Sequence, residues 1–196
     1  MVARERNNRK RAWHWRRLNG ARHEGLRFLD EAGATTILTR LYARAVGGAR
    51  TTEAVPRNYG ASTSMISTIG IGGAQATMII EGSVDTLVFN AYCQQVLRPT
   101  LKAGEVIVLD NLGAHRASRI EEITAECGAR VIWLPPYSPD FSPIELMWSK
   151  VKAYLKKVKA RTQAELEKAI AAALETITPS DCENWFRHCG YEVTPK

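Results

Sequence analysis

Val106-Ile107-Val108-Leu109-Asp110 is apolar at four successive positions and then acidic. A strand with one solvated face alternates apolar and polar residues, whereas a strand apolar throughout belongs in a sheet covered by helices on both faces. Gly104 turns the chain into this strand. Downstream, Ser118 and Glu121 have capping-box spacing around Ile120, Ile123 and Cys127, Gly128 is a helix stop, and residues 131–134 read as another strand. Strand, helix and strand in that order make a βαβ unit, so the fold class is α/β.

Upstream, Leu26-Arg27-Phe28-Leu29-Asp30 is a second short apolar run ending in an acid. Residues 36–42 are β-branched and partly alternating, which predicts a further strand after a turn at Gly33. Residues 43–60 read as a loop. Residues 64–69 and 76–80 flank Gly70-Ile-Gly-Gly73 and predict a hairpin; no Lys-Ser/Thr follows these glycines, which argues against a phosphate-binding P-loop. Asp85 is placed to cap a helix that Pro99 ends.

Leu134-Pro-Pro-Tyr-Ser-Pro-Asp-Phe-Ser-Pro-Ile-Glu145 is too proline-rich for regular structure until Ser142-Pro143. There an N-cap serine, a proline at the first helical position and a glutamate at the third predict a helix start. Its apolar face is Met147, Val151, Tyr154, Leu155 and Val158, while Lys150, Lys152, Lys156, Lys157 and Lys159 lie largely elsewhere. Thr162 and Glu165 cap a further helix, and Thr178-Pro179 precedes a short segment bearing Trp185 and Phe186.

The 196 residues carry a formal net charge of +7 and a sequence pI of about 9.4, which suits a polyanionic partner. One compact domain accommodates this length. Residues 4–22 hold eight Lys or Arg against one acid, Glu5, and read as a basic arm or linker over residues 1–22 ahead of a domain over residues 23–196. Arg9, Lys10, Arg11, Arg16 and Arg17 in this segment, with Lys150, Lys152, Lys156 and Lys157, are candidate DNA contacts. Trp13 and Trp15 lie in the same stretch, and packing is the commoner use of such indoles. No apolar run is long enough to span a bilayer, and no signal-peptide pattern follows the N-terminal charges, so a cytoplasmic location is expected. Cys93, Cys127, Cys182 and Cys189 are scattered, which suggests neither a zinc site nor a disulfide framework.

Asp30 and Asp110 end separate apolar strands, and in α/β sheets functional groups collect at the carboxyl ends of strands. If those strands are neighbours, the carboxylates converge, which is costly unless a counter-charge is present. A divalent cation supplies one. Magnesium takes oxygen ligands and keeps waters, so Asp30, Asp110 and Glu145 form a sufficient set once DNA phosphate joins it. Two ions about 4 Å apart suit in-line attack on phosphorus. Each residue also has a plainer use: an Asp after a strand opens turns, and Glu145 fits a capping box.

Taken together, Phe28-Leu-Asp30-Glu31, Val108-Leu-Asp110-Asn111-Leu-Gly-Ala-His115 and the proline segment ending in Glu145 resemble the DDE transposases of the Tc/mariner superfamily, in its bacterial insertion-sequence branch. The similarity covers residues 26–191, with 34 residues between Asp110 and Glu145. It implies an RNase H-like (retroviral-integrase-like) fold, a central mixed sheet flanked by helices. It implies Asp30, Asp110 and Glu145 as catalytic residues and metal ligands, with Mg2+ as cofactor and Mn2+ as substitute. Asn111 and His115 take supporting roles, although His115 equally suits a helix start or a core position. Glu31 should point to the opposite side from Asp30, and Asp140 reads as a turn residue.

The family resemblance further implies double-stranded DNA as partner, at transposon ends and target, a homodimer, and insertion near a TA dinucleotide. Family members carry a helix-turn-helix region of roughly a hundred residues that this sequence lacks, so a separate chain is a possible source of end recognition. The expected function is metal-dependent phosphodiester cleavage and strand transfer. The alternatives are an inactive or partner-dependent DNA-binding remnant and a structure-selective nuclease of the same broad fold.

Overall fold

The computed structural model describes residues 6–18, 21, 23–52, 54–56, 62–110 and 114–193. Five strands form one sheet in the order β3-β2-β1-β4-β5: β1 Leu26–Thr35, β2 Ser62–Gly70, β3 Gly73–Glu81, β4 Val106–Leu109 and β5 Arg130–Trp133. The β1–β2 and β2–β3 pairs are antiparallel, whereas β1–β4 and β4–β5 are parallel. The sheet is therefore mixed.

Helices cover both faces, which explains the unbroken apolar character of β4. Phe28, Val106 and Val108 pack into a core with α4 (Pro143–Val158), α5 (Gln163–Glu175) and α6 (Pro179–His188). Leu29, Ile107 and Leu109 point the other way, into a second core with α2 (Thr86–Tyr92) and α3 (Ala114–Glu126). This is the period-two alternation of a strand, read out on two buried faces.

Several expectations change. Residues 36–42 form no strand, and β1 instead runs straight through Gly33 to Thr35. Its antiparallel partner decides this, because Gly33, Ala34 and Thr35 lie opposite Ser64, Thr63 and Ser62. Ser118 is no cap, since α3 begins at Ala114. Ser142 does occupy the N-cap position of α4, but its side chain makes no capping hydrogen bond. Val158 is exposed, and the buried face of α4 is Ile144, Met147, Trp148, Val151 and Leu155. By contrast, Asp85 caps α2 by accepting from the Val88 N–H at 2.8 Å, and Thr162 and Glu165 form a complete capping box. Thr178 and Asp181 make a second box at α6.

The basic segment expected as an arm contains a helix, α1 (Asn8–Leu18), docked on the domain through Arg11, His14 and Leu18. Trp15 packs against Phe141 and Tyr191, as expected for a packing indole. Trp13 remains exposed, with the Arg17 guanidinium 4.9 Å from its ring centroid. Among the described residues no helix is long and apolar enough to cross a membrane.

Candidate active site

In the β1–β4 pair, Leu29 lies opposite Leu109, so Asp30 and Asp110 follow at adjacent positions. β4 ends at Leu109 while β1 continues, and the sheet opens at that point. Both acids have the strand parity of Phe28 and Val108, whose side chains face α4. Glu145, in the first turn of α4, comes to the same place. The three carboxylates line one cavity of about 330 Å³, together with Leu29, Leu134 and the proline segment. Glu31 falls on the opposite parity, as the alternation requires.

The electrostatics show how the three sites share that space. Burial pushes the Asp30 carboxyl up from 3.8 to about 7, and the charges of Glu145 and Asp110 push it further the same way. The Glu31 backbone opposes this through a hydrogen bond. Trp148 also favours the ionised form, although its buried Nε1 makes no hydrogen bond of good geometry. Asp110 and Glu145 are exposed. A buried carboxyl whose ionised form is disfavoured beside two further acids marks a site lacking positive charge, and its all-oxygen donor set suits a hard divalent cation. The acids do not close into a preformed cage: among the described residues no group of three His, Cys, Asp or Glu is placed to hold a metal ion.

Residues 134–142 form the cavity's other wall. Tyr137 has a left-handed backbone (φ 56°), a strained conformation for a tyrosine, and its exposed ring stands at the rim. The 3-10 turn Pro139–Phe141 follows, and then α4. Asp140 is more than a turn residue. It accepts two hydrogen bonds from Arg11, at 2.9 and 2.6 Å, and these hold its carboxyl below the usual range.

Two of the candidate DNA contacts are otherwise engaged. Arg11 is buried against Asp140 and Phe141, and Lys150 donates to Asp181 at 2.7 Å and to the Thr176 carbonyl at 2.8 Å. Arg9, Lys10 and Arg16 are exposed on α1 and flank Trp13 in a shallow concavity. Lys157 is exposed on α4, with Lys152 and Lys156 half-buried. Asn111 lies outside the described residues, and His115 is placed in the first turn of α3. Sequence reasoning missed Trp148. Its signal was its position three residues after Glu145, which puts both on one side of α4.

The family model described as DDE superfamily endonuclease matches residues 25–167, a span containing Asp30, Asp110 and Glu145. Among solved structures, the Mos1 transposase paired-end complex with left transposon end superposes with a TM-score of 0.71 at 14% identity, covering 96% of this chain and 60% of that one. The Mos1 transposase catalytic domain with raltegravir and Mg gives 0.60 at 12% identity, covering 97% and 100%. The catalytic core domain of BIV integrase gives 0.50 at 16% identity, covering 86% and 99%. The chain thus spans about 60% of the length of the Mos1 transposase chain in that complex. A comparison with curated protein sequences finds no match. The fold is the RNase H-like fold of transposase and integrase catalytic cores, and since the family model covers well over half of its length, the chain belongs to the DDE superfamily of endonucleases.

Proposed function

We propose that this chain is the catalytic domain of a DNA transposase of the Tc/mariner type, in its bacterial insertion-sequence branch, acting on double-stranded DNA at element ends and target. The carrying observation is the meeting of Asp30, Asp110 and Glu145 on one cavity, where burial, with the charges of Glu145 and Asp110 added, raises the Asp30 carboxyl to about 7. Those three residues would hold Mg2+, with Mn2+ as substitute, which would supply charge neutralisation of the acids and activation of the attacking oxygen for phosphodiester cleavage and strand transfer. A cation held there would favour the ionised form of Asp30. Asp110 and Glu145 face the open side, where a phosphodiester can approach. Arg9, Lys10 and Arg16 on α1 and Lys157 on α4 offer backbone phosphate contacts that carry no sequence information. Mos1 transposase complexes with a left transposon end, with Mn and with Mg support this reading. A homodimer and a nucleoid-associated cytoplasmic setting complete the proposal.

The test is nicking of supercoiled plasmid by the purified chain with Mg2+, Mn2+ or EDTA, beside Asp110→Asn. Metal-dependent nicking lost in the variant is expected. Nicking that survives the substitution would remove Asp110 from the ligand set.

A further inference from the structure

We infer that Arg11 and Tyr191 are positioning residues for Glu145, gripping the 3-10 turn Pro139–Phe141 from opposite ends of the chain. Arg11 makes the two hydrogen bonds to Asp140, and its guanidinium lies 3.6 Å from the Phe141 ring centroid. Arg6 adds a longer contact to Asp140 at 3.4 Å. From the other terminus, Tyr191 donates its hydroxyl proton to the Phe141 carbonyl at 2.7 Å. His14 closes the clamp: its ring stacks on Phe141 with centroids 5.5 Å apart, and its Nε2 is 3.3 Å from the Tyr191 hydroxyl. Both aromatic partners are buried, as is Ser142, and Pro143 and Ile144 follow buried in the first turn of α4. The segment from Asp140 to Glu145 therefore has little slack.

The helix start needs this outside hold. The Ser142 side chain makes no capping bond, so α4 lacks the usual local device that fixes where its first turn sits. The Arg11 side chain is only 10% exposed against 50% for Asp140, and a paired arginine that deeply placed strongly resists separation from its carboxylate. Arg11, flagged by its charge as a DNA contact, is thereby assigned to the protein's own architecture. The exposed face of the same helix keeps Arg9, Lys10 and Arg16.

The grip itself follows from these contacts; its consequence for metal binding rests on the proposed function. Hydrogen exchange on the full chain separates the two. The Phe141, Ser142 and Glu145 amides donate to the Ser138, Pro139 and Ser142 carbonyls and report on the turn. In Arg11→Ala their exchange should rise at least tenfold, with α5 and β2 amides unchanged. Tyr191→Phe removes one hydroxyl with little risk to folding and should produce the same local pattern in weaker form. The charge-exchanged pair Arg11→Asp with Asp140→Arg should recover part of the protection. Unchanged exchange at the three amides in both single variants would overturn the inference, as would a uniform rise across the whole domain. In the same proteins, Mn2+ affinity measured by calorimetry should fall about tenfold in Arg11→Ala. Equal affinity in the variant and the parent would refute the positioning of Glu145. Absence of Mn2+ binding by the parent would count against the metal reading alone, leaving the exchange data to decide the clamp.

Discussion

Replacing Asp30 by Asn should stabilise the metal-free protein at neutral pH while abolishing cleavage. In the folded chain the Asp30 carboxyl is pushed from 3.8 to about 7, first by burial and then by Glu145 and Asp110. A carboxyl whose folded value lies above its unfolded value holds its proton longer in the native state. Stability then falls as pH rises from about 4 to about 7 and stays low above that. The rise from 3.8 to about 7, at roughly 1.4 kcal/mol per tenfold change in proton affinity, gives on the order of 4 kcal/mol, and partial solvent access reduces this to about 2–4 kcal/mol. In a chain of this size that corresponds to roughly 5–15 °C in Tm. His14 runs the other way: burial pushes it down to about 4, so its contribution makes stability rise with pH between about 4 and 6.5. The two overlap, and only the difference between Asp30→Asn and the parent isolates Asp30. The assay is thermal unfolding in EDTA from pH 4.5 to 8.5. The gap between the two proteins should open across pH 4–7, and Mn2+ should narrow it by stabilising the parent alone. Parallel Tm curves over the whole range would refute the raised Asp30 carboxyl and the burial that causes it.

Other outcomes follow from particular contacts. Arg27 is 2% exposed inside the sheet, where it meets Thr68, Thr100 and Glu105, so Arg27→Ala should cost about 3–5 kcal/mol by leaving Glu105 and the hydroxyls without their partner, measurable by urea unfolding. Thr162→Ala removes one half of a complete capping box and should cost about 1 kcal/mol, read as a small drop in the urea midpoint at unchanged slope. Replacing Arg9, Lys10 and Arg16 together by Ala should reduce the salt slope of DNA binding by about 3 with little change in Tm; a slope equal to the parent's would take α1 out of the DNA-facing surface.

The apolar strands ending at Asp30 and Asp110 and the helix starts at Asp85, Ser142 and Thr162 were legible along the chain because their signals are local. An apolar run followed by Asp marks a buried strand end, and Ser-Pro-x-Glu marks a helix start. Parity along a strand assigns Asp30 and Glu31 to opposite sides without any tertiary information. Residues 36–42 misled because β-branched alternation is only a propensity, and β1 obtained its length from pairing with β2. Ser118 misled for a related reason: capping-box spacing also occurs inside helices.

What the sequence alone determined was which groups exist and the order in which the chain presents them: two strand-end aspartates, a helix-start glutamate and a basic segment. That follows because periodicity, caps and prolines act over a few residues. Only the tertiary structure decided that β1 and β4 are parallel neighbours in register, that α4 lays Glu145 and Trp148 against Asp30, and that Arg11 faces Asp140 across 129 positions. Those pairings depend on burial and on charges brought together from distant points of the chain, and a positive residue looks the same in sequence whether it meets a phosphate or its own protein's carboxylate.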